Sequence, residues 1–452
     1  MTADPADEGP RRRFTVPARD VVADVSPLRL DAGFRTQWLG QLGSAIGRET
    51  AKFAFPVHIY LETGSLALLG AVAIFQLIAT VVLSLSSGTL SDLFDRRLIL
   101  VASMGVMTLA TLGLFALALA GDAPIELVVV LGVIVTTVFT MEQPARISAV
   151  PRLVAPQRLP AAIALTSLNF QGMSVVGPAV AALFFGVAGL AGAYALQLAG
   201  YTWGTLVSSR MPALPPPPSA ETRSPLRMLA ESFAFVRRRR IILSGFAIDL
   251  TAMILALPMG SLLPVLLIEA YGITPEIVGV LLAARGAGAL GAAVFSGWTR
   301  SIRALGRGVL LVVIVYSLAT IAIGLAPHFM LAIPLLAMTG AADVSSAIMR
   351  NTIIQTATPD ELRGRVTSIH VLSSAGGPRV GDVRAAVMAE ALGAKAALVV
   401  GGAMAVGLVL VFRRAFPELR TYRLPSVAAA ENVQVPVADA ARAPGARPGS
   451  SP

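Results

Sequence analysis

The chain has 452 residues, of which 55% are hydrophobic and only 14% charged, with a net charge of +10 and a mean hydropathy of +0.74. A soluble protein needs far more charge to cover its surface, so an ordinary soluble multidomain architecture is excluded. The chain has no cysteine, which removes disulfides, thiolate metal sites and cysteine nucleophiles.

Residues 1–33 are polar and mixed in charge, with no apolar core. Arg11, Arg12, Arg13 and Phe14 faintly resemble a twin-arginine signal, but no apolar segment with a cleavage site follows. They read as a cytoplasmic N-terminal tail. Apolar stretches then recur near residues 36–61, 66–87, 98–120, 125–143, 161–187, 191–209, 241–268, 276–297, 307–326, 329–348, 367–392 and 394–413. Each is long enough to cross about 30 Å of hydrocarbon. Inside lipid every backbone amide needs an internal partner, so each must be helical or buried by its neighbours. The expected fold is all-α: a polytopic membrane protein of twelve transmembrane helices in two pseudo-symmetric six-helix bundles, residues 34–209 and 241–416.

Lysine occurs only at Lys52 and Lys395, so nearly all the positive charge is arginine. The arginines gather in alternate loops. One set holds Arg96, Arg97, Arg146, Arg152, Arg158, Arg237 to Arg240, Arg300, Arg303, Arg307, Arg350, Arg363 and Arg365. The other holds Glu62, Asp122, Glu126, Glu269, Glu276 and His328, with Lys395 its one basic residue. Basic loops stay cytoplasmic, so both termini are expected in the cytoplasm. That pattern reads as topology and argues against nucleic-acid binding.

The longest internal connection, 210–240, begins with a stiff proline run from Pro215 to Pro218. Leu226, Leu229, Phe233 and Val236 then recur at helical spacing, which predicts a short amphipathic helix at the cytoplasmic interface. Residues 417–452 form the C-terminal cytoplasmic tail, and its alanine, proline and glycine content from 424 onward predicts disorder. The two halves echo each other. Arg146 to Leu159 and Arg350 to Leu362 both join the fourth span of a half to the fifth, and Gly177-Pro178 and Gly377-Pro378 follow at similar depth.

After the second span the chain reads Gly88-Thr89-Leu90-Ser91-Asp92-Leu93-Phe94-Asp95-Arg96-Arg97. This closely resembles the loop signature of the major facilitator superfamily, with Asp95 in place of the usual second glycine. The Asp-Arg-Arg ending is similar to the subgroup that holds the enterobactin exporter and related bacterial drug-efflux proteins. The resemblance continues through Pro144 to Leu153, Met211 to Pro218 and Thr358 to Arg365, and so spans nearly the whole chain. It implies a secondary transporter in the bacterial cytoplasmic membrane, monomeric as is usual for the superfamily, without cofactor. It also implies a gate latch at Gly88, Asp92, Arg96 and Arg97. A topogenic charge cluster is the alternative reading of that loop. The matching stretch from Ser296-Gly297 to Arg307 lacks the aspartate, which makes the latch one-sided. Glu142 is expected at the cytoplasmic rim beside Arg96 or Arg97. The fifth span, from Gly172 through Gly177 and Pro178, resembles the superfamily's antiporter signature, with alanine for its small pair. Proline permits a bend there, and a plain close-packing site is the other reading.

Charges within spans are costly, roughly 2.5–3.5 kcal/mol each on insertion scales, and call for a reason. They are Arg48, Glu49 and Lys52 in the first span, Asp249, Arg285 and Asp343 in the seventh, eighth and tenth, and Arg379, Asp382 and Arg384 in the eleventh. A carboxylate whose surroundings alternate between dry and arginine-paired takes a proton on one side and releases it on the other. Glu49, Asp249, Asp343 and Asp382 fit that role. The arginines and Lys52 could hold an anionic substrate such as a catecholate siderophore. Static pairing is the competing reading, for example Asp382 with Arg379 or Arg384. Gln41, Gln76, Asn169 and Gln171 are candidate cavity residues. His58, His328 and His370 are weak candidates, His58 reading as a membrane-interface residue, and no histidine pair has metal spacing.

The expectation is therefore a proton-driven exporter of a siderophore or amphipathic drug. A nutrient importer on the same fold is the first alternative, and a membrane enzyme or scaffold the second. No phosphate-cradling glycine loop is present to hydrolyse a nucleotide.

Overall fold

The computed structural model describes residues 24–121, 124–215, 233–258, 262–295, 304–358 and 363–422. For 84–93, 363–365, 367, 368, 371, 372, 375, 420 and 421 it describes the backbone alone. The expected tails before residue 24 and after 422, the stretch 296–303, and Leu226 and Leu229 of the expected amphipathic helix lie outside it.

Every described element is helical. The crossings are α1 (Ala32–Thr63), α2 (Leu66–Leu93), α3 (Arg96–Ala120) and α4 (Ile125–Leu153). The helix Leu159–Ser208 carries two more, α5 (159–187) and α6 (190–208). Then come α7, in two pieces Arg240–Leu255 and Leu263–Tyr271, and α8 (Pro275–Val294). The last four are α9 (Leu305–Leu325), α10 (Phe329–Ala357), α11 (Arg363–Leu392) and α12 (Ala394–Ala415). Short helices Ser26–Leu30 and Pro417–Thr421 flank the set. With twelve crossings, both described chain ends lie on one face, called here the terminal face; the other is the distal face.

Eight apolar stretches are long enough to span a bilayer among the described residues. One of them, Pro156–Ser208, supplies both α5 and α6. α1 is interrupted by Arg48, Glu49 and Lys52, and α7 is in two pieces, each shorter than a full span.

Local chemistry explains the connections. Between α5 and α6 the chain reverses at Gly189, with φ of 58° and ψ of −145°, a conformation open in practice only to glycine. Gly64 and Gly272 end α1 and α7 in left-handed caps at the same place in each half. The seventh span, expected to be continuous over 241–268, is interrupted instead. Pro258 and Pro264 bracket the gap, and neither ring nitrogen can donate a helix bond.

At the terminal face the chain after α6 folds back as a strap. The Asp95 carboxylate caps α3 by accepting from the Arg97 amide at 2.8 Å, and also accepts from the Leu214 amide at 3.0 and 3.1 Å. The Arg96 amide donates to the Leu214 carbonyl, Arg97 to the Ser209 carbonyl and Arg152 to the Pro215 carbonyl. Met211 and Leu214 fill a small apolar core with Ile99, Leu100, Ala145 and Ala149. Further on, 233–238 is helical, with Val236 buried against Ile242, Phe246 and Ile354 and Phe233 exposed. The two side chains expected on one face therefore part company, because Val236 has the second bundle to pack against.

The bundles meet along α2 with α11, α5 with α8, and α1 with the second piece of α7. The described polar links across that seam lie towards the distal face: the Ala67 amide donates to Glu390 at 3.2 Å, and the Tyr60 hydroxyl donates to Glu269. Gly70 packs against Ala386, Gly279 against Ala182, and Gly286 against the backbone at Ser174 and Val175. These small residues let the helix axes approach closely, where no hydrophobic drive exists between helices in lipid.

Candidate functional site

The charges of α1 form a compact cluster. Arg48 Nε donates to Glu49 Oε1 at 2.8 Å, and Lys52 Nζ donates to the same carboxylate at 3.0 and 3.2 Å. Gly177 on α5 makes room for it: a β-carbon there would overlap the Glu49 side chain. Arg48 is 4% exposed, with its guanidinium 4.5 Å from the Phe170 ring centre and 5.1 Å from that of Phe139. Its two terminal nitrogens make no hydrogen bond. The two rings contribute cation–π attraction to the guanidinium while its terminal donors stay free. Lys52 is different. Its side chain is 48% exposed at mid-helix, and the charge of Arg379 on α11 reaches it from the opposite bundle. Lys52 therefore faces the space between the bundles.

Below this cluster Arg146 pairs with Glu142 one turn away on α4 and donates to Ser44 Oγ at 3.1 Å. Glu142 has no exposed surface. It was expected at the rim beside Arg96 or Arg97; it is instead buried inside the bundle, because α4 runs on to Leu153 and carries Arg146 inward with it. Arg146 is thus a core residue and not a loop cation. Arg350 is its counterpart in the second half. It lies within α10, 5% exposed, and bridges Asp249 on α7 at 2.8 Å. The echo of Arg146 and Arg350 was visible in the sequence, yet both were counted among the loops because the apolar stretches end before them.

In the second bundle Arg285 bridges Asp343 at 3.1 Å between α8 and α10. Arg379 lies 3.9 Å from Asp382 on α11. Arg384 is engaged with the backbone of α7. It donates to the Ile254 carbonyl at 3.0 Å and the Ala256 carbonyl at 2.9 Å, closing the ragged end of the first piece of α7. Gly377 packs on Met253, so the glycine-proline pair of α11 leans on the same piece of α7.

Several expected cavity residues are committed elsewhere. Gln76 donates to Thr136 at 2.9 Å and Asn169 to the Trp38 carbonyl at 3.2 Å, both inside the first bundle, and Gln41 is buried. His58 is buried too, 2.9 Å from the Tyr194 hydroxyl, and is not an interface residue. Phe139 and Phe170 had no sequence signal beyond being aromatic. Of the expected latch, only the backbone of Gly88 and Asp92 is described. Arg96 engages the strap through its backbone amide and Arg97 through its guanidinium. Near the terminal face, two hydrogen bonds from Arg158, at 2.7 and 2.8 Å, hold the Asp31 carboxyl below the ordinary carboxylate value and tie the start of α1 to the turn before α5. No cluster of three metal-ligating side chains occurs among the described residues.

Paired charges held at helix interfaces around a central space, with one lysine left facing it, suit the reversible binding of a small solute. A family model described as transmembrane secretion effector matches residues 22–442. The enterobactin exporter EntS of Citrobacter koseri is 28% identical over 411 residues, covering 89% of this chain and 96% of that protein. EntS of Shigella boydii is 27% identical over 417 residues, covering 90% and 98%. Among solved structures, the nucleoside transporter NupG overlays with a TM-score of 0.65 at 12% identity, covering 87% of this chain and 99% of its own. A bacterial homologue of the human lysosomal transporter Spinster, inward-facing and unoccupied, overlays at 0.65 with 16% identity, covering 86% and 98%. These structures share the fold. The chain is a multi-pass membrane transporter and not an enzyme, and it belongs to the transmembrane secretion effector family of the major facilitator superfamily.

Proposed function

We propose that this transporter exports an anionic, aromatic small molecule, a catecholate siderophore or an amphipathic drug of that character, in exchange for protons. One observation carries the reading: half-exposed Lys52 faces the space between the bundles beside a guanidinium that lies against the rings of Phe139 and Phe170. A catecholate offers both an anion for the lysine and a π-face for the aromatic wall. The enterobactin exporters among the relatives support the same chemistry.

Glu49 is the proton carrier in this scheme. Its carboxylate is shared by Arg48 and Lys52, so substrate that draws Lys52 away changes the field at Glu49 and lets a proton bind. The arginine-rich terminal face is cytoplasmic, in the bacterial inner membrane, and the protein works as a monomer. Gly88, Asp92, Arg96 and Arg97 form the gate on that side. The seal at Tyr60, Glu269, Ala67 and Glu390 must part for release at the distal face.

Uptake of a catecholate into everted vesicles tests this. Accumulation should collapse when a protonophore abolishes the pH gradient. Glu49→Gln should abolish accumulation while retaining exchange of labelled for unlabelled substrate. Accumulation indifferent to the gradient would sink the coupling. A deletion strain with lowered uptake, in place of raised retention, would identify an importer.

A further inference from the structure

On the terminal face of the second bundle, α9 and α12 enclose a cavity of about 400 Å³ lined by Arg307, Leu310, Leu311, Ile314 and Arg413. It is remote from the central charges and opens on the outside of the bundle, where Leu311 is 63% exposed. Its composition is layered. Arg307 and Arg413 stand at the mouth, and the aliphatic side chains follow down α9. From Arg307 to Ile314 the helix rises about 10 Å, the depth of an upper acyl segment.

No ion pair involves Arg307 or Arg413 among the described residues, and Glu418, in the short helix that follows α12, bridges Arg240 at 3.2 Å. Arg413, in the last turn of α12, complements the helix dipole. Arg307 does the opposite: it lies in the first turn of α9, where a cation is disfavoured. Topology alone would not require two cations around one slot. The start of α9 beside the slot is held in place. Leu419 of the short helix Pro417–Thr421 packs on Gly306, and the Tyr422 hydroxyl lies 2.7 Å from Thr356 Oγ1.

We infer that this slot binds one anionic phospholipid, with the head-group phosphate between Arg307 and Arg413 and an acyl chain against Leu310, Leu311 and Ile314. Charge complementarity selects the head group, and the aliphatic wall requires a tail. The inference is independent of what the transporter carries.

The test is native mass spectrometry of the purified full chain, titrated with phosphatidylglycerol and with phosphatidylcholine of identical acyl chains. One phosphatidylglycerol should be retained at about tenfold lower concentration than phosphatidylcholine. The double variant Arg307→Gln/Arg413→Gln should lose that preference. Leu311→Trp, which blocks the slot and keeps both charges, should lose it too, so the result does not hang on one variant's folding. Glycerol 3-phosphate, which has no tail, should not displace the lipid. Equal retention of the two lipids, or a preference undiminished in both variants, would overturn the proposal. Displacement by glycerol 3-phosphate would overturn it as well, in favour of a free-phosphate site.

Discussion

At the residue scale, the decisive contact is between the stem of Glu49 and the missing side chain of Gly177. Gly177 leaves the volume that Glu49 occupies, so the antiporter-like element of α5 and the charges of α1 form a single piece of structure. Gly177→Ala should push Glu49 off its partners. Overpacking of this kind costs roughly 1–3 kcal/mol. Transport is expected to fall by about tenfold while membrane expression is retained, and a rate assay beside a fluorescence-detected size-exclusion profile checks both. Much of this site was legible beforehand. Arg48, Glu49 and Lys52 stood out because charge in an apolar span is expensive. What was not legible was partnership. Nothing in spacing shows that Arg384 serves backbone carbonyls, or that Glu142 turns to Arg146, because those choices depend on how far a helix continues and on what lies across from it.

At the element scale, α7 is the departure from expectation. The apolar run 241–268 looked continuous, since hydropathy is blind to a missing amide donor. Pro258 and Pro264 divide it, and the freed carbonyls of Ile254 and Ala256 would be stranded in a dry interior without the Arg384 fork. Arg384→Leu should therefore destabilise the second bundle, at about 1–3 kcal/mol for each carbonyl left unbonded. A lower thermal unfolding midpoint in detergent, with lysine at the same position giving an intermediate value, is the expected result. The lengths of α4 and α10 teach the same lesson from the other side. Both helices outlast their apolar stretches, and that extra turn is what carries Arg146 and Arg350 from the expected loops into the core.

At the scale of the whole molecule, the twelve crossings and their division into halves followed from apolar length and arginine alternation, whereas the contacts that hold the halves together did not. Small residues mark a close approach without naming the partner. The pairing of Gly70 with Ala386 makes the distal seal testable. A β-carbon at Gly70 would lie 2.9 Å from that of Ala386, and a disulfide needs about 3.5–4.5 Å, a small relaxation. Gly70→Cys/Ala386→Cys should cross-link under mild oxidation, halt transport, and recover on reduction. The parent chain has no cysteine, so within one chain no other pair can form the bond, and unchanged mass on a non-reducing gel excludes a bond between copies.

The strap at Asp95 has a bearing on how the protein is made. Its anchors lie on α3 and α4, but the segment they hold, 209–215, is translated after the sixth crossing. The first half thus lacks its last corner until that segment has left the ribosome. Once it has, the amides and carbonyls of that corner are satisfied without help from anything still to be synthesised. The second half then enters the bilayer beside a finished neighbour.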